Sequence, residues 1–247
     1  MNNTATWLVD IGHVCFRRRG IMLPVAMVLL LLPGPALSSR PALVGAIGMM
    51  IALIGQMIRS ATIGLVYIIR GGKDHRVYAE GLVTEGIYAH CRNPMYFGNS
   101  FLLAGFAVAA NSWLFLLGGV PFVVFVHRAI IAAEEDFLRR KFGAEYDAYC
   151  ARVPRWFPQL RGLGVTFRSM RFDWRRVLIS EYAKPLDWVA AIALIIILNF
   201  WRAGMLREQM VFAGGMVFVI VARLILWRVA LGMKKGGDSA AARAPNR

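Results

Sequence analysis

The stretch Thr84-x-Gly86-x-Tyr88-x-x-x-Arg92-Asn93-Pro94-x-Tyr96-x-Gly98 is followed by two apolar runs. After them come His127-Arg128, Glu134-Glu135, Phe142-Gly143-x-x-Tyr146-x-x-Tyr149 and Val153-Pro154-x-x-Phe157-Pro158. Two polar, aromatic-rich clusters thus flank a membrane-length hairpin. Asn99–Ala110 and Trp113–Ile131 form its arms and the uncharged pair Asn111-Ser112 its tip, with the first arm reaching back to Pro94 if that residue starts the helix. Polar groups are costly at membrane depth, so clusters at both feet of a hairpin point to a site there.

Composition agrees with a membrane setting. The chain has 247 residues, of which 58% are hydrophobic, and a mean hydropathy of +0.54, too apolar for an ordinary soluble domain. Its formal charge of +15 lies in blocks between apolar runs. That placement fits anionic headgroups and positive-inside topology and argues against a nucleic-acid partner. Cys15, Cys91 and Cys150 make no CxxC or Cys/His array, so free thiols in cytoplasmic loops are expected, with neither disulfide nor metal site. Cys91 lies inside the motif as a possible inhibitor target.

Working outward, the expected fold is all-α: a polytopic integral membrane bundle of about six spans plus an interfacial amphipathic helix, both termini cytoplasmic. Arg17-Arg18-Arg19 precedes the run Ile21–Leu37, read as an uncleaved first span ending at Pro33-Gly34-Pro35. Pro41 to about Ile69 is the second. Its Gly45, Gly48, Gly55 and Gly64 allow close helix packing, and its Gln56 and Arg59 either line a cavity, bond to neighbouring helices or snorkel toward the interface. Arg70-Gly71-Gly72-Lys73 breaks it. Residues 133–185 carry eleven Lys or Arg. Within them Phe167, Met170, Trp174 and Val177, with arginines between, predict one helix lying in the interface. Leu186–Trp201 and Met210–Leu231 are the last two spans, before a disordered tail at 234–247. The expected division is 1–81, N-terminal spans; 82–164, core; 165–185, interfacial helix; 186–233, C-terminal hairpin.

Asn93-Pro94 is a good helix start, an N-cap followed by proline at the first position. Capping alone does not require Tyr88, Arg92 and Tyr96 around it, whereas an anionic ligand at a helix N-terminus would use them. Glu135–Arg139 and Asp136–Arg140 have the spacing of surface ion pairs.

Taken together, Gly81–Pro158 resembles the isoprenylcysteine carboxyl methyltransferase family, related to the phospholipid N-methyltransferases. The family pattern is Gly-x-Tyr-x-x-x-Arg-His-Pro-x-Tyr-x-Gly, then Glu-Glu, Phe-Gly-x-x-Tyr-x-x-Tyr and Val-Pro-x-x-x-Pro. About a third of the chain carries the match, which is specific in combination rather than in any one piece. The resemblance implies S-adenosylmethionine as cofactor and a lipophilic small-molecule acceptor arriving from the membrane lipids. It further implies cofactor contacts from Tyr88, Arg92, Asn93, Pro94, Tyr96 and Glu135, with Tyr146 and Tyr149 closing the pocket. Arg128, Glu134 and Arg155 would lie on the acceptor side as catalytic residues. Asn93 stands where the family has His and cannot titrate near neutrality. An already ionised carboxylate acceptor needs no base, whereas an amine or thiol would call on His90 or His127. Two rivals are an NADPH-dependent enzyme resembling the sterol reductases, through Tyr149-Cys150-x-x-Val153-Pro154, and a non-enzymatic membrane scaffold. Oligomeric state is not legible.

Overall fold

A computed structural model describes residues 6–29, 32, 34–65, 70–73, 76–79, 81–181 and 184–225. It is helical almost throughout. Helix α1 spans Thr6–Val28 and α2 Pro41–Leu65; a short antiparallel pair follows, β1 (Arg70–Lys73) and β2 (Arg76–Ala79), with Arg70 opposite Ala79. Then come a 3-10 turn at Gly86–Ala89, α3 (Pro94–Ala110), a π-helical turn at Phe115–Gly119 and α4 (Val120–Phe142). The short helices α5 (Ala144–Arg152), α6 (Leu163–Ser169) and α7 (Trp174–Glu181) complete the first of two compact units, Met1–Tyr182. The second unit, Ala183–Arg247, holds α8 (Lys184–Arg202) and α9 (Met210–Ile225).

Among the described residues, three helices are long and apolar enough to cross a membrane: Pro41–Leu65, Phe115–Phe142 and Pro185–Arg202. Helices α3 and α9 are apolar but shorter. The protein is therefore an α-helical membrane protein, with a small β-hairpin where only a helix break was expected.

The first expected span is redrawn. Helix α1 begins at Thr6, far upstream of Ile21, and ends at Val28, short of Pro33. Arginine is a good helix former, so nothing in Arg17–Arg19 interrupts the turn-by-turn hydrogen bonding. The interfacial segment also differs, because it breaks at Met170–Asp173 into α6 and α7. There the Phe172 ring lies over Gly64 of α2, and the Asp173 amide donates to the Gly64 carbonyl at 2.9 Å. That docking replaces the helical bonds a continuous helix would have made. The expected tail, and the end of the last span beyond Ile225, lie outside the described residues.

Glycine seams set the bundle's spacing. A Cβ on Gly48 would stand 2.5 Å from the Gly105 carbonyl oxygen, and one on Gly55 2.6 Å from that of Gly98. Helices α2 and α3 thus run antiparallel, nearly backbone to backbone, as small residues permit in membranes. Gly12 brings α1 against Ala129 of α4 in the same way. At one end the hairpin tip is clasped to the α1–α2 loop. Asn111 is in the left-handed region (φ 50°), and its side chain accepts from Ser38 N at 2.8 Å and donates to Ser38 O at 2.9 Å. The opposite end gathers the C-termini of α2 and α4 with the N-terminus of α3. That is the basic end, and both motif clusters lie on it.

Candidate active site at the foot of the hairpin

Proline fixes where α3 starts, and Asn93 occupies the N-cap position with its carbonyl accepting from Phe97 N at 3.0 Å. Its side chain does not cap the helix. The carboxamide instead donates to Glu135 Oε1 at 3.0 Å and to the Arg155 carbonyl at 3.3 Å. The stronger acceptor wins, because a buried carboxylate needs donors more than the first helical turn does.

Glu135 is the hub. Helix α4 continues past Ile131 to Phe142 and carries the carboxylate inward, 7% exposed. Arg155 grips it as a fork, Nη2 to Oε2 at 2.9 Å and Nε to Oε1 at 3.1 Å, the bidentate geometry that guanidinium offers carboxylates. Arg92 adds a second cation at 3.9 Å. The bland helix-surface pairing with Arg139 does not form, since Arg139 takes Asp147 at 2.9 Å; Asp136 does pair with Arg140.

Arg92 is fixed from several directions. Its amide donates to the Pro154 carbonyl at 2.9 Å and its Nη1 to Cys150 Sγ at 2.9 Å. Burial pulls the guanidinium pKa down, but the Glu135 carboxylate, the Cys150 sulfur and the Tyr146 phenol outweigh it, and the pKa stands above its usual value. Its Nε is buried without a hydrogen-bond partner, a costly state for a charged donor. Two guanidiniums and one carboxylate leave the cluster net positive.

The remaining expected residues sort themselves around this hub. Tyr88 is buried in the 3-10 turn, and its carbonyl accepts the Tyr149 hydroxyl at 2.8 Å. Tyr146 and Tyr149 are 1% and 3% exposed, packed with Ala79, Leu138 and Val153 where α5 folds back on α4. Gly143, at φ 51°, makes that reversal. Tyr96 donates to Glu134 Oε1 at 3.0 Å, and its ring meets His127 edge-on at 5.6 Å. Glu134 and Glu135, adjacent in sequence, thus serve two different groups. Arg128 does not join either one: it lies exposed on α4.

Several contacts were not legible in the sequence. His90 has both ring nitrogens engaged, Nδ1 at 2.9 Å from the Gln159 carbonyl and Nε2 at 2.8 Å from Thr166 Oγ1. A carbonyl can only accept, so Nδ1 carries a proton and the hydroxyl occupies Nε2. Cys91 is wholly buried, with its thiol on the Trp156 carbonyl at 3.4 Å and its pKa pushed up by burial. That corrects its reading as an inhibitor target. Nor are the other two cysteines in loops: Cys15 is buried in α1 and Cys150 half-buried in α5. No local pattern marks these contacts, because each joins segments about sixty residues or more apart.

This arrangement defines an α-helical membrane protein with an electropositive, carboxylate-centred site between the foot of a helical hairpin and the segment after it. A family profile described as phospholipid methyltransferase matches residues 43–145. Protein-S-isoprenylcysteine O-methyltransferase of Mus musculus is 30% identical over 49% of this chain and 43% of its own. The nickel-cobalt-cadmium resistance protein NccN of Alcaligenes xylosoxydans xylosoxydans is 35% identical over 32% of this chain and 37% of its own. An uncharacterized protein of Haemophilus influenzae is 34% identical over 25% of this chain and 98% of its own. Residues 43–145 are thus similar to the phospholipid methyltransferases, and about half of the chain is similar to an isoprenylcysteine methyltransferase. It spans about two fifths of the length of the mouse and NccN relatives. No solved structure matches.

Proposed function

We propose that this protein is an S-adenosylmethionine-dependent membrane methyltransferase whose acceptor is a lipophilic carboxylate of the isoprenylcysteine type. The observation that carries the reading is the convergence of Arg92, Asn93 and Arg155 on buried Glu135, with one Arg92 donor left unpartnered.

The residues present fit the cofactor. Its chemistry, when bound, is an electrophilic methyl group on a sulfonium. Arg92, with its spare buried donor, suits the amino-acid carboxylate; Glu135 suits an ammonium or ribose hydroxyls, with Asn93 and Pro94 fixing the edge of that site. The Tyr149 hydroxyl braces the wall by donating to the Tyr88 carbonyl, and Tyr146 packs against Tyr149. Arg155 is 30% exposed at its side chain and is the member of the cluster best placed to turn toward an incoming carboxylate. Leaving Glu135 would free that carboxylate for the cofactor at the moment the acceptor arrives. Glu134 and Tyr96 flank the acceptor side, and Arg128, on the exposed face of α4, would serve acceptor approach.

The carboxylate acceptor is favoured because the site is electropositive and because His90 is committed to Gln159 and Thr166. Only His127, beside Tyr96, would then remain as a base for an amine or thiol. Methyl transfer to an ionised carboxylate needs alignment and exclusion of water rather than proton transfer, and positioning alone is worth on the order of 7–11 kcal/mol of barrier. The basic, site-bearing end would face the cytoplasm by the positive-inside rule.

Calorimetric titration of detergent-purified protein with S-adenosylhomocysteine tests the reading, with NADPH in parallel. Saturable binding of S-adenosylhomocysteine that Glu135→Ala abolishes is expected. Binding of NADPH alone would replace this reading with a reductase, and binding of neither to folded protein would favour a scaffold.

A further inference from the structure

The segment that closes the site, residues 157–179, turns an unusual mixture outward. Phe157, Leu160, Val165, Trp174, Leu178 and Ile179 are each between 65% and 77% exposed. Arg161, Arg168, Arg171 and Arg175 are exposed beside them. The acids of this region are spent elsewhere: Asp173 pairs with Arg176 at 3.1 Å, and Glu181, 2% exposed, with Arg59 at 2.7 Å. On neighbouring α5, Asp147 is held by Arg139 and Glu145 is exposed. No carboxylate within 157–179 is left to oppose the four arginines among the described residues.

The inner side fixes the segment's depth. His90 holds Gln159 and Thr166, Phe172 and Asp173 dock on Gly64, and α7 turns Val177 and Glu181 inward. These pins place the outward side chains level with the last turn of α2, where that span leaves its apolar run. Six large apolar side chains so exposed would be unfavourable in water, and four guanidiniums would be unfavourable in hydrocarbon. The headgroup layer accommodates both, and the charge selects its sign. A nucleic-acid partner would want stacking aromatics, whereas four of the six apolar residues are aliphatic.

We propose that residues 157–179 form an anionic-lipid-binding surface. The guanidiniums of Arg161, Arg168, Arg171 and Arg175 take acidic headgroup phosphates, while Phe157, Leu160, Trp174 and Leu178 sink among the upper acyl carbons. The surface holds the foot of the hairpin at a set height in the bilayer. It depends on no particular reaction.

The test uses the full chain in phosphatidylcholine nanodiscs containing an equal minor fraction of brominated phosphatidylcholine or brominated phosphatidylglycerol. Tryptophan quenching is read, and Trp174→Phe identifies the share that belongs to this segment. Brominated phosphatidylglycerol is expected to quench that share at least about threefold more, with the preference falling toward one at high salt. It should also vanish in the Arg168→Gln/Arg171→Gln/Arg175→Gln variant. Equal quenching by the two lipids would overturn the proposal, as would a preference that persists in the variant or is indifferent to salt. A Trp174 that neither lipid quenches, as when a second copy or an acidic protein covers it, would overturn it too. The salt titration needs only wild-type protein, and no outcome depends on whether the chain transfers methyl groups.

Discussion

Asn93 shows how one side chain's partner can differ from what its position suggests. It stands at the N-cap of α3, yet its carboxamide reaches across to Glu135. Asn93→Ala would leave Glu135 short of a donor in a buried setting, at a cost of about 1.5–3 kcal/mol for a hydrogen bond to a charge. The expected outcome is a lower thermal midpoint in detergent together with weaker S-adenosylhomocysteine binding. An unchanged midpoint would mean that the contact contributes nothing. Cys91 makes the opposite point, a reactive residue type kept inert. Burial pushes its pKa above the usual 9.0, so thiolate is scarce at pH 7. Its contribution to stability is complete below that usual value and is lost as pH rises through the elevated one. Maleimide at pH 7 should therefore modify half-buried Cys150 first and reach Cys91 only on unfolding; peptide mass spectrometry that found Cys91 labelled first would contradict this.

At the scale of elements, the α2–α3 seam is the most exacting contact. Gly105→Leu would thrust a side chain at the Gly48 carbonyl, 2.6 Å from where its Cβ must sit, and against Ala52. Overpacking typically costs about 1–3 kcal/mol, and here backbone rather than a flexible side chain has to yield. The foot of the hairpin would shift with it, so cofactor affinity should fall along with stability. In contrast, Gly214 lies within α9 with open space around its Cβ position. Gly214→Ala should stabilise by roughly 0.5–1 kcal/mol through helix propensity. Parallel unfolding of the two variants checks the contrast, and equal effects would refute it.

For the molecule as a whole, one buried ion pair ties the closing segment to the membrane bundle. Arg59 of α2 donates to both oxygens of Glu181 in α7, at 2.7 and 3.1 Å, and to Asn99 of α3 at 2.5 Å, while Gln56 adds a fourth contact at 3.3 Å. Of the sequence-based alternatives for Gln56 and Arg59, this is bonding between helices. Glu181→Ala would strand a buried guanidinium, at about 3–5 kcal/mol. The double variant Arg59→Leu/Glu181→Leu should recover most of the loss, because a well-packed apolar pair can replace a buried ion pair. Thermal unfolding in detergent distinguishes the cases; a double variant as unstable as the single would show that the charges themselves are required.

The sequence by itself determined the membrane class, the start of α3 at Pro94, the glycine reversal at Gly143 and the family resemblance, because proline, glycine, hydropathy and motif spacing are local signals. It also determined which segments meet at the site, since both clusters had to lie at one end of a hairpin. Only the tertiary structure decided who pairs with whom. Glu135 chose Arg155 over Arg139, Arg128 was left on an outer face, His90 became a clamp, and Arg59 found Glu181. Each of those choices compares desolvation against a hydrogen-bond partner 20 to 122 residues away, a sum that exists only once the helices have packed.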